Sequence, residues 1–202
     1  MTGWPQTRRK TPLFLIFALC ATPLASARAS EWTLDPAHTT IGFSVRHMMV
    51  STVRGQFTKF SGAATADDAD PTRSTLAVKI DASSIDTREE KRDAHLRSPD
   101  FLDADKFPKL SFKSKRMEAK GEHFKLVGDL TIRGKTHEVV LDGEYTGVAK
   151  SPWGTESAGF SAHTKINRKE WGLEWNQALE TGGLLVGETI EIAIDVEAMR
   201  KA

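Results

Sequence analysis

Through most of the chain, apolar and polar residues take turns at a period of two. Ile41, Phe43 and Val45 alternate with Thr40, Gly42, Ser44 and Arg46. Leu76, Val78 and Ile80 alternate with Ala77, Lys79 and Asp81, and Leu110 and Phe112 with Ser111 and Lys113. Phe124, Leu126, Leu130 and Ile132 oppose Lys125, Asp129, Thr131 and Arg133. Near the end, Ile190, Ile192, Ile194 and Val196 oppose Glu191, Ala193, Asp195 and Glu197. Each segment predicts a strand with one apolar and one wet face, because successive strand side chains point to opposite sides. Turn signals separate them: Lys120-Gly121-Glu122, Gly134-Lys135 as a two-residue hairpin loop, Asp142-Gly143 as a bulge, and Ser151-Pro152-Trp153-Gly154. About eight or nine strands in succession predict an all-β antiparallel meander. Even alternation and tight hairpins favour an up-and-down, closed β-barrel of about eight strands over a sandwich.

One stretch breaks the alternation, Asp93-Ala94-His95-Leu96-Arg97-Ser98-Pro99-Asp100-Phe101-Leu102-Asp103. Upstream of it, Asp86-Thr87-Arg88-Glu89-Glu90 has the form of a capping box with Asp86 or Thr87 as the cap. A short helix is predicted near residues 87–97, ending before Pro99, whose ring disfavours helical geometry in the preceding residue. Only Ala94 and Leu96 are apolar on its last turn, so this helix lies across another surface, with Phe101 and Leu102 pinning its exit. Small residues, Gly128, Gly143, Ala158 and Ala162, face inward beside the bulky Phe124, Tyr145 and Phe160. They fit either an underfilled lumen or the taper of a packed barrel.

The N-terminus changes the picture of where this domain works. Arg8, Arg9 and Lys10 precede an apolar run from Leu13 to Leu24 and two overlapping A-x-A patterns, Ala25 to Ala27 and Ala27 to Ala29. This is the pattern of a cleaved secretory signal peptide, residues 1–29, with cleavage after Ala27 or Ala29 and export to an oxidising compartment. The run is too short for a convincing membrane span. Cys20 follows Leu19, where a lipid-attachment signal wants a small residue. Removing 29 of 202 residues leaves 173, residues 30–202, enough for a single domain. The leader holds four of the 28 basic residues and none of the 27 acidic ones, so a net charge of −3 remains. That balance argues against nucleic acid as a partner, which calls for a basic surface. Cys20 is the only cysteine, so the mature chain has no disulfide, thiolate nucleophile or cysteine ligand.

Candidate chemistry is sparse. The six histidines form no H-E-x-x-H or other close ligand pair, so no metal site is predicted; His38 and His47 bracket the first strand and are placed to meet a polar ligand group. Gly159-Phe160-Ser161-Ala162-His163 lacks the last glycine of a nucleophile elbow and lies in a strand pattern. No phosphate loop is present, since Glu188 and Thr189 follow Gly187. Acid pairs such as Asp67 with Asp68 lie in turns. Trp171 and Trp175 either plug one barrel end or meet an apolar ligand at its rim. Val127, Val140 and Val148 face outward in these registers, where a barrel-wall homodimer would use them.

Ordered blocks along nearly the whole mature chain resemble the YceI-like family of polyisoprenoid-binding periplasmic proteins. They include Asp35-Pro36-Ala37-His38, Ile41-Gly42-Phe43-Ser44-Val45 with His47, and Val53-Arg54-Gly55-Gln56-Phe57. Ser84-Ile85-Asp86-Thr87, Arg92 to Ser98, Asp100-Phe101-Leu102 and Lys106-Phe107-Pro108 follow, then Gly128-Asp129-Leu130-Thr131 and Leu179-Glu180-Thr181-Gly182-Gly183. Pro99 stands where the family pattern suggests a small or variable residue.

The resemblance implies a lipocalin-like barrel bearing a helix, an isoprenoid lipid as ligand and no cofactor or catalytic residues. The expected function is to hold an isoprenoid quinone or polyprenyl phosphate for transport, storage or protection. The lumen is expected to be lined by Ile41, Phe43, Val45, Leu76, Val78, Ile80, Phe112, Phe124, Leu126, Phe160, Ile192 and Ile194. His47 stands at the end of the first strand, and Arg97 either contacts a head group or pairs with Asp93 or Asp100. Two rival readings are an interaction module with a solidly packed barrel that binds a membrane-protein partner, and an enzyme using His47 or His95 as acid or base.

Overall fold

The structure, a computed structural model, describes residues 29–180 and 182–201. The predicted leader, apart from Ala29, lies outside the described residues. Eleven strand segments make eight barrel strands, because three of the eight are broken by a corner. β1 (Ala29–Leu34) and β2 (Thr40–His47) run end to end along the last strand, β11 (Val186–Arg200). β3 (Ser51–Phe57) continues into β4 (Phe60–Asp67), and β5 (Thr75–Asp81) into the two-residue β6 (Ile85–Asp86). Four hairpin-linked strands complete the wall: β7 (Lys109–Lys120), β8 (His123–Ile132), β9 (Lys135–Lys150) and β10 (Glu156–Asn167). All pairings are antiparallel. β11 closes the barrel by pairing with β10 on one side and with β1 and β2 on the other.

Register places the inward apolar rows in layers. Ile194 pairs with both Ala162 and Ile41, Ile192 with Thr164 and Phe43, and Ile190 with Ile166 and Val45. A slip of one residue would turn every one of these side chains into water, so the alternation seen in the sequence specifies the pairing.

Turn chemistry departs from expectation in two places. Ile132 pairs with Lys135, so the β8–β9 loop is Arg133-Gly134 (φ 49° and 71°), one residue earlier than Gly134-Lys135. Two left-handed residues match the strand twist, and Gly134 takes that geometry without a Cβ penalty. Asp142 and Gly143 pair regularly with Lys125 and Phe124; the bulge of β9 is at Thr146, between the pairs Tyr145 with Phe160 and Gly147 with Gly159. Gly143 serves close packing instead. A Cβ there would lie 2.2 Å from the Phe124 ring, and one at Gly128 2.4 Å from that of Phe112.

The Thr146 bulge also corrects the outward valines. One extra residue reverses the alternation beyond it, and Val148 joins the cavity wall at one mouth. Val127 is 2 % exposed, which leaves Val140 as the exposed outward member of the trio.

Helix α1 (Glu90–Arg97) crosses the barrel end where β6 finishes and β7 begins. Its end agrees with expectation, and its cap does not. Asp86 accepts from Arg88 N at 2.8 Å, and Arg88 takes a left-handed φ of 62°, which interrupts the helical path. Glu89 therefore becomes the cap, accepting from Lys91 N at 3.2 Å and Arg92 N at 2.6 Å. The reciprocal contact comes from buried Asp93, which accepts from the backbone N–H and the hydroxyl of Thr87. Phe101 and Leu102 are each 7 % exposed beyond the helix and join Ile80, Ile85, Leu110 and Ile132 in the core.

Candidate functional site

An apolar cavity of about 1020 Å³ runs through the barrel, at the upper end of the roughly 300–1,000 Å³ found for small-molecule sites. Its wall includes Trp32, Ala64 and Tyr145 toward one end and His95, Leu96 and Trp175 toward the helix end. Ile41, Val78, Ile80, Phe112 and Leu126 of the predicted lining stand on this wall and are buried. Phe43, Val45, Leu76, Phe124, Phe160, Ile192 and Ile194 also line it and are only partly buried, since open lumen lies in front of them. The small inward residues thus seat neighbouring rings without filling the interior. A solid barrel, the premise of the interaction-module reading, is not what forms.

His47 lines the helix end of the cavity, and Arg97 does not. Leu96, Arg92, His95 and Lys91 occupy the helix face turned to the lumen, and Arg97 falls one position further round. The pairs suggested for Arg97 are taken by others: Asp93 binds Thr87, and Asp100 Oδ2 lies 2.9 Å from His95 Nε2. Among the described residues no ion pair involves Arg97. The two tryptophans divide the roles offered to them. Trp171 is 1 % exposed and donates from Nε1 to Leu130 O at 3.1 Å, closing the barrel end. Trp175 lines the cavity and meets His95 edge to face at 4.7 Å, with Phe101 at 5.2 Å.

Several wall residues carried no signal in the alternation of single strands. Leu96 and Trp175 come from the helix and from the segment before β11, and are brought together only when the barrel end closes. Arg168 follows Asn167 at the end of β10 as the next inward position after Ile166; extending the β10 period would have found it.

His38 and His47 do not converge. His38 occupies the corner between β1 and β2, 2.6 Å from Asp35 Oδ2 and 4.0 Å from Glu197 Oε2. These three carry metal-ligand atoms within 4.8 Å of one another, but Asp35 is engaged by His38 and by Ala37 N at 2.9 Å. The corner is thereby explained as an Asx turn with an ion pair. Hydrogen bonding to Asp35 raises the His38 pKa above 6.5, and the same bond lowers that of Asp35 below 3.8. The His38 contribution to stability is present below pH 6.5 and is lost as pH rises through its raised folded value. That of Asp35 is present above pH 3.8 and is lost as pH falls through its depressed folded value. An NMR titration should place the His38 midpoint above 6.5, and Asp35→Asn should return it to the ordinary value. An unmoved midpoint in that variant would remove the pair as the cause.

Residues 32–198 match the YceI-like domain family. A UPF0312 protein of Staphylococcus aureus strain USA300 is 39% identical over 169 residues, covering 83% of this chain and 96% of the relative. The crystal structure of the Campylobacter jejuni YCEI protein is similar at 36% identity with a TM-score of 0.67, covering 84% of this chain and 97% of that one. A Saccharophagus degradans domain described as polyisoprenoid-binding shares the fold at a TM-score of 0.59 and 14% identity, with coverages of 84% and 98%. With a closed eight-stranded barrel, one short helix and a family match over nearly all of the described residues, the chain belongs to the YceI-like domain family.

Proposed function

We propose that this protein is a periplasmic carrier, exported by its N-terminal leader, that holds a long isoprenoid chain in the barrel lumen for transport, storage or protection. It acts by binding and catalyses no reaction. The observation that carries this reading is the apolar cavity of about 1020 Å³. The polyisoprenoid-binding description of the Saccharophagus degradans domain supports the ligand class. Burying about twenty prenyl carbons at roughly 0.8 kcal/mol per CH₂ offers about 16 kcal/mol before ordering costs. About forty would nominally exceed the practical affinity ceiling near 18 to 21 kcal/mol. Chain burial therefore drives binding without selecting chain length, and selection falls to lumen depth and head group.

Native mass spectrometry of the secreted protein purified without detergent, followed by solvent extraction, tests the reading. A stoichiometric isoprenoid quinone or prenyl phosphate is the expected result. A mass without ligand that persists after incubation with both lipid classes would sink it.

Loading requires access to a membrane, and the β2–β3 turn supports a transient contact with an anionic lipid surface. Met48, Met49 and Val50 are 43%, 61% and 78% exposed, next to Arg46 and His47 on the cavity wall. Lys91 and Arg92 line the same end. Val50 N donates to His47 O at 3.1 Å, closing a turn whose central residues, Met48 and Met49, have left-handed φ of 50° and 61°. Asn-Gly suits that geometry far better than Met-Met. Met48→Asn with Met49→Gly should therefore raise the melting temperature while weakening sedimentation with phosphatidylglycerol vesicles. Unchanged vesicle binding would assign the contact elsewhere.

A further inference from the structure

Cations at the two ends of the lumen have opposite surroundings. Near β1, Arg200 lies 3.2 Å from Glu156 and 3.6 Å from Asp68, with its guanidinium 5.8 Å from the Trp32 ring centre. At the helix end, Arg168 is 2% exposed and lines the cavity. Its Nε donates to Gly187 O at 2.9 Å and its Nη1 to Leu173 O. Nη2 is buried with no hydrogen-bond partner, and no carboxylate stands within ion-pair distance of the guanidinium among the described residues. Glu188 is held by Lys169. Burial lowers the Arg168 pKa, partly offset by Glu188, yet a guanidinium stays charged at neutral pH.

A buried cation without a counter-charge is costly, and the cost is removed when an anion arrives. Register shows what stands beside it. Val45, Ile190 and Ile166 form one inward layer, and the next inward positions of β2 and of the chain after β10 are His47 and Arg168. The His47 imidazole makes no hydrogen bond among the described residues, although its carbonyl accepts from Val50 N. The helix end of the lumen thus carries one unpaired guanidinium nitrogen and one free imidazole, with Arg46, Lys91, Arg92 and His95 lining the same end.

We propose that this end is a head-group subsite for an anionic oxygen, a phosphate or a carboxylate on a long apolar chain, received by Arg168 Nη2 with His47 beside it. The inference rests on the lipid-carrier reading and adds orientation to it: the head group lies at the helix end, and the chain runs past Ile192 and Phe160 toward Trp32.

The test compares geranylgeranyl phosphate, geranylgeraniol and oleate on the wild-type protein and on Arg168→Gln, with folding checked by circular dichroism. A charge-assisted contact should make the phosphate or oleate bind about tenfold or more tighter than the alcohol. Arg168→Gln should lower the affinities for the phosphate and for oleate toward that of the alcohol, bringing the ratio near one. A preference for phosphate alone names a prenyl phosphate, and one for oleate alone names a fatty acid. Equal affinities for all three in the wild type, or a preference that persists in folded Arg168→Gln, would overturn the subsite. Binding of none would overturn the carrier reading itself. Should the variant not fold, side-chain ¹⁵N NMR of the wild type decides: the Arg168 guanidinium resonances should move with the bound anion and not with the alcohol. Resonances that stay in place with bound anion would overturn the assignment.

Discussion

Ala162→Trp should lower the affinity for a C20 prenyl chain by about 100-fold while leaving the barrel folded. Ala162 faces inward between Gly143 and Ile194, on the cavity wall and near its middle. An indole there enters open lumen, so the change fills space that holds no side chain and avoids the overpacking penalty of a filled core. If it excludes about four CH₂ groups of the ligand, the loss is about 3 kcal/mol, and each 1.4 kcal/mol is about tenfold. Isothermal titration with a prenyl lipid checks the affinity, and a thermal melt checks the fold. Val78→Gln, which places an amide on the same wall, should weaken uptake for a different reason, the unpaired polar group it presents to the chain. Unchanged affinity in both variants would remove the lumen from the binding reaction.

Trp171→Ala should destabilise the protein by about 3–5 kcal/mol, the range for deleting a large buried aromatic side chain. Trp171 is 1% exposed, its indole N–H is bonded to Leu130 O at 3.1 Å, and the His137 ring meets it at 4.9 Å. The lost area, the cavity left behind and the lost indole hydrogen bond to Leu130 O all act in the same direction. Against a total stability of about 5–15 kcal/mol, this is a large fraction. The melting temperature should fall by roughly 6 to 20 °C at about 2–4 °C per kcal/mol. Trp175→Ala gives the contrast. Trp175 borders the open cavity, so its removal should reduce lipid affinity more than it lowers the melting temperature. A shift below about 2 °C for Trp171→Ala would mean that the barrel end closes without this plug.

The hairpins show where sequence reasoning succeeds and where it slips. The turns at Gly134 and Gly121 were visible because glycine marks left-handed backbone. Their exact registers were not visible, because pairing across the ladder decides which residue turns the corner. Met48-Met49 gave no turn signal at all, since nothing in their local propensity favours φ above zero. The tip is held from outside by Arg46, which donates to Met49 O at 2.7 Å and to Thr52 Oγ1 at 3.1 Å. The helix cap moved for a similar reason. Asp86, Thr87 and Glu89 are all suitable caps, and the left-handed Arg88 together with the reach of Asp93 back to Thr87 selects among them.

The amino-acid order by itself determined which face of each strand turns inward up to its bulges, that the strands form one antiparallel barrel, and that the helix stops before Pro99. These follow from local rules, the two-residue period of a strand and the steric limits of proline, which act between near neighbours. Tertiary structure alone decided that the lumen is open, that the Thr146 bulge swings Val148 to its mouth, and that Trp171 plugs while Trp175 lines. It also left Arg168 buried without a counter-charge and kept Arg97 off the cavity wall. Each of these depends on side chains far apart in sequence arriving at one place, and their summed volume and charge are settled only when the barrel closes.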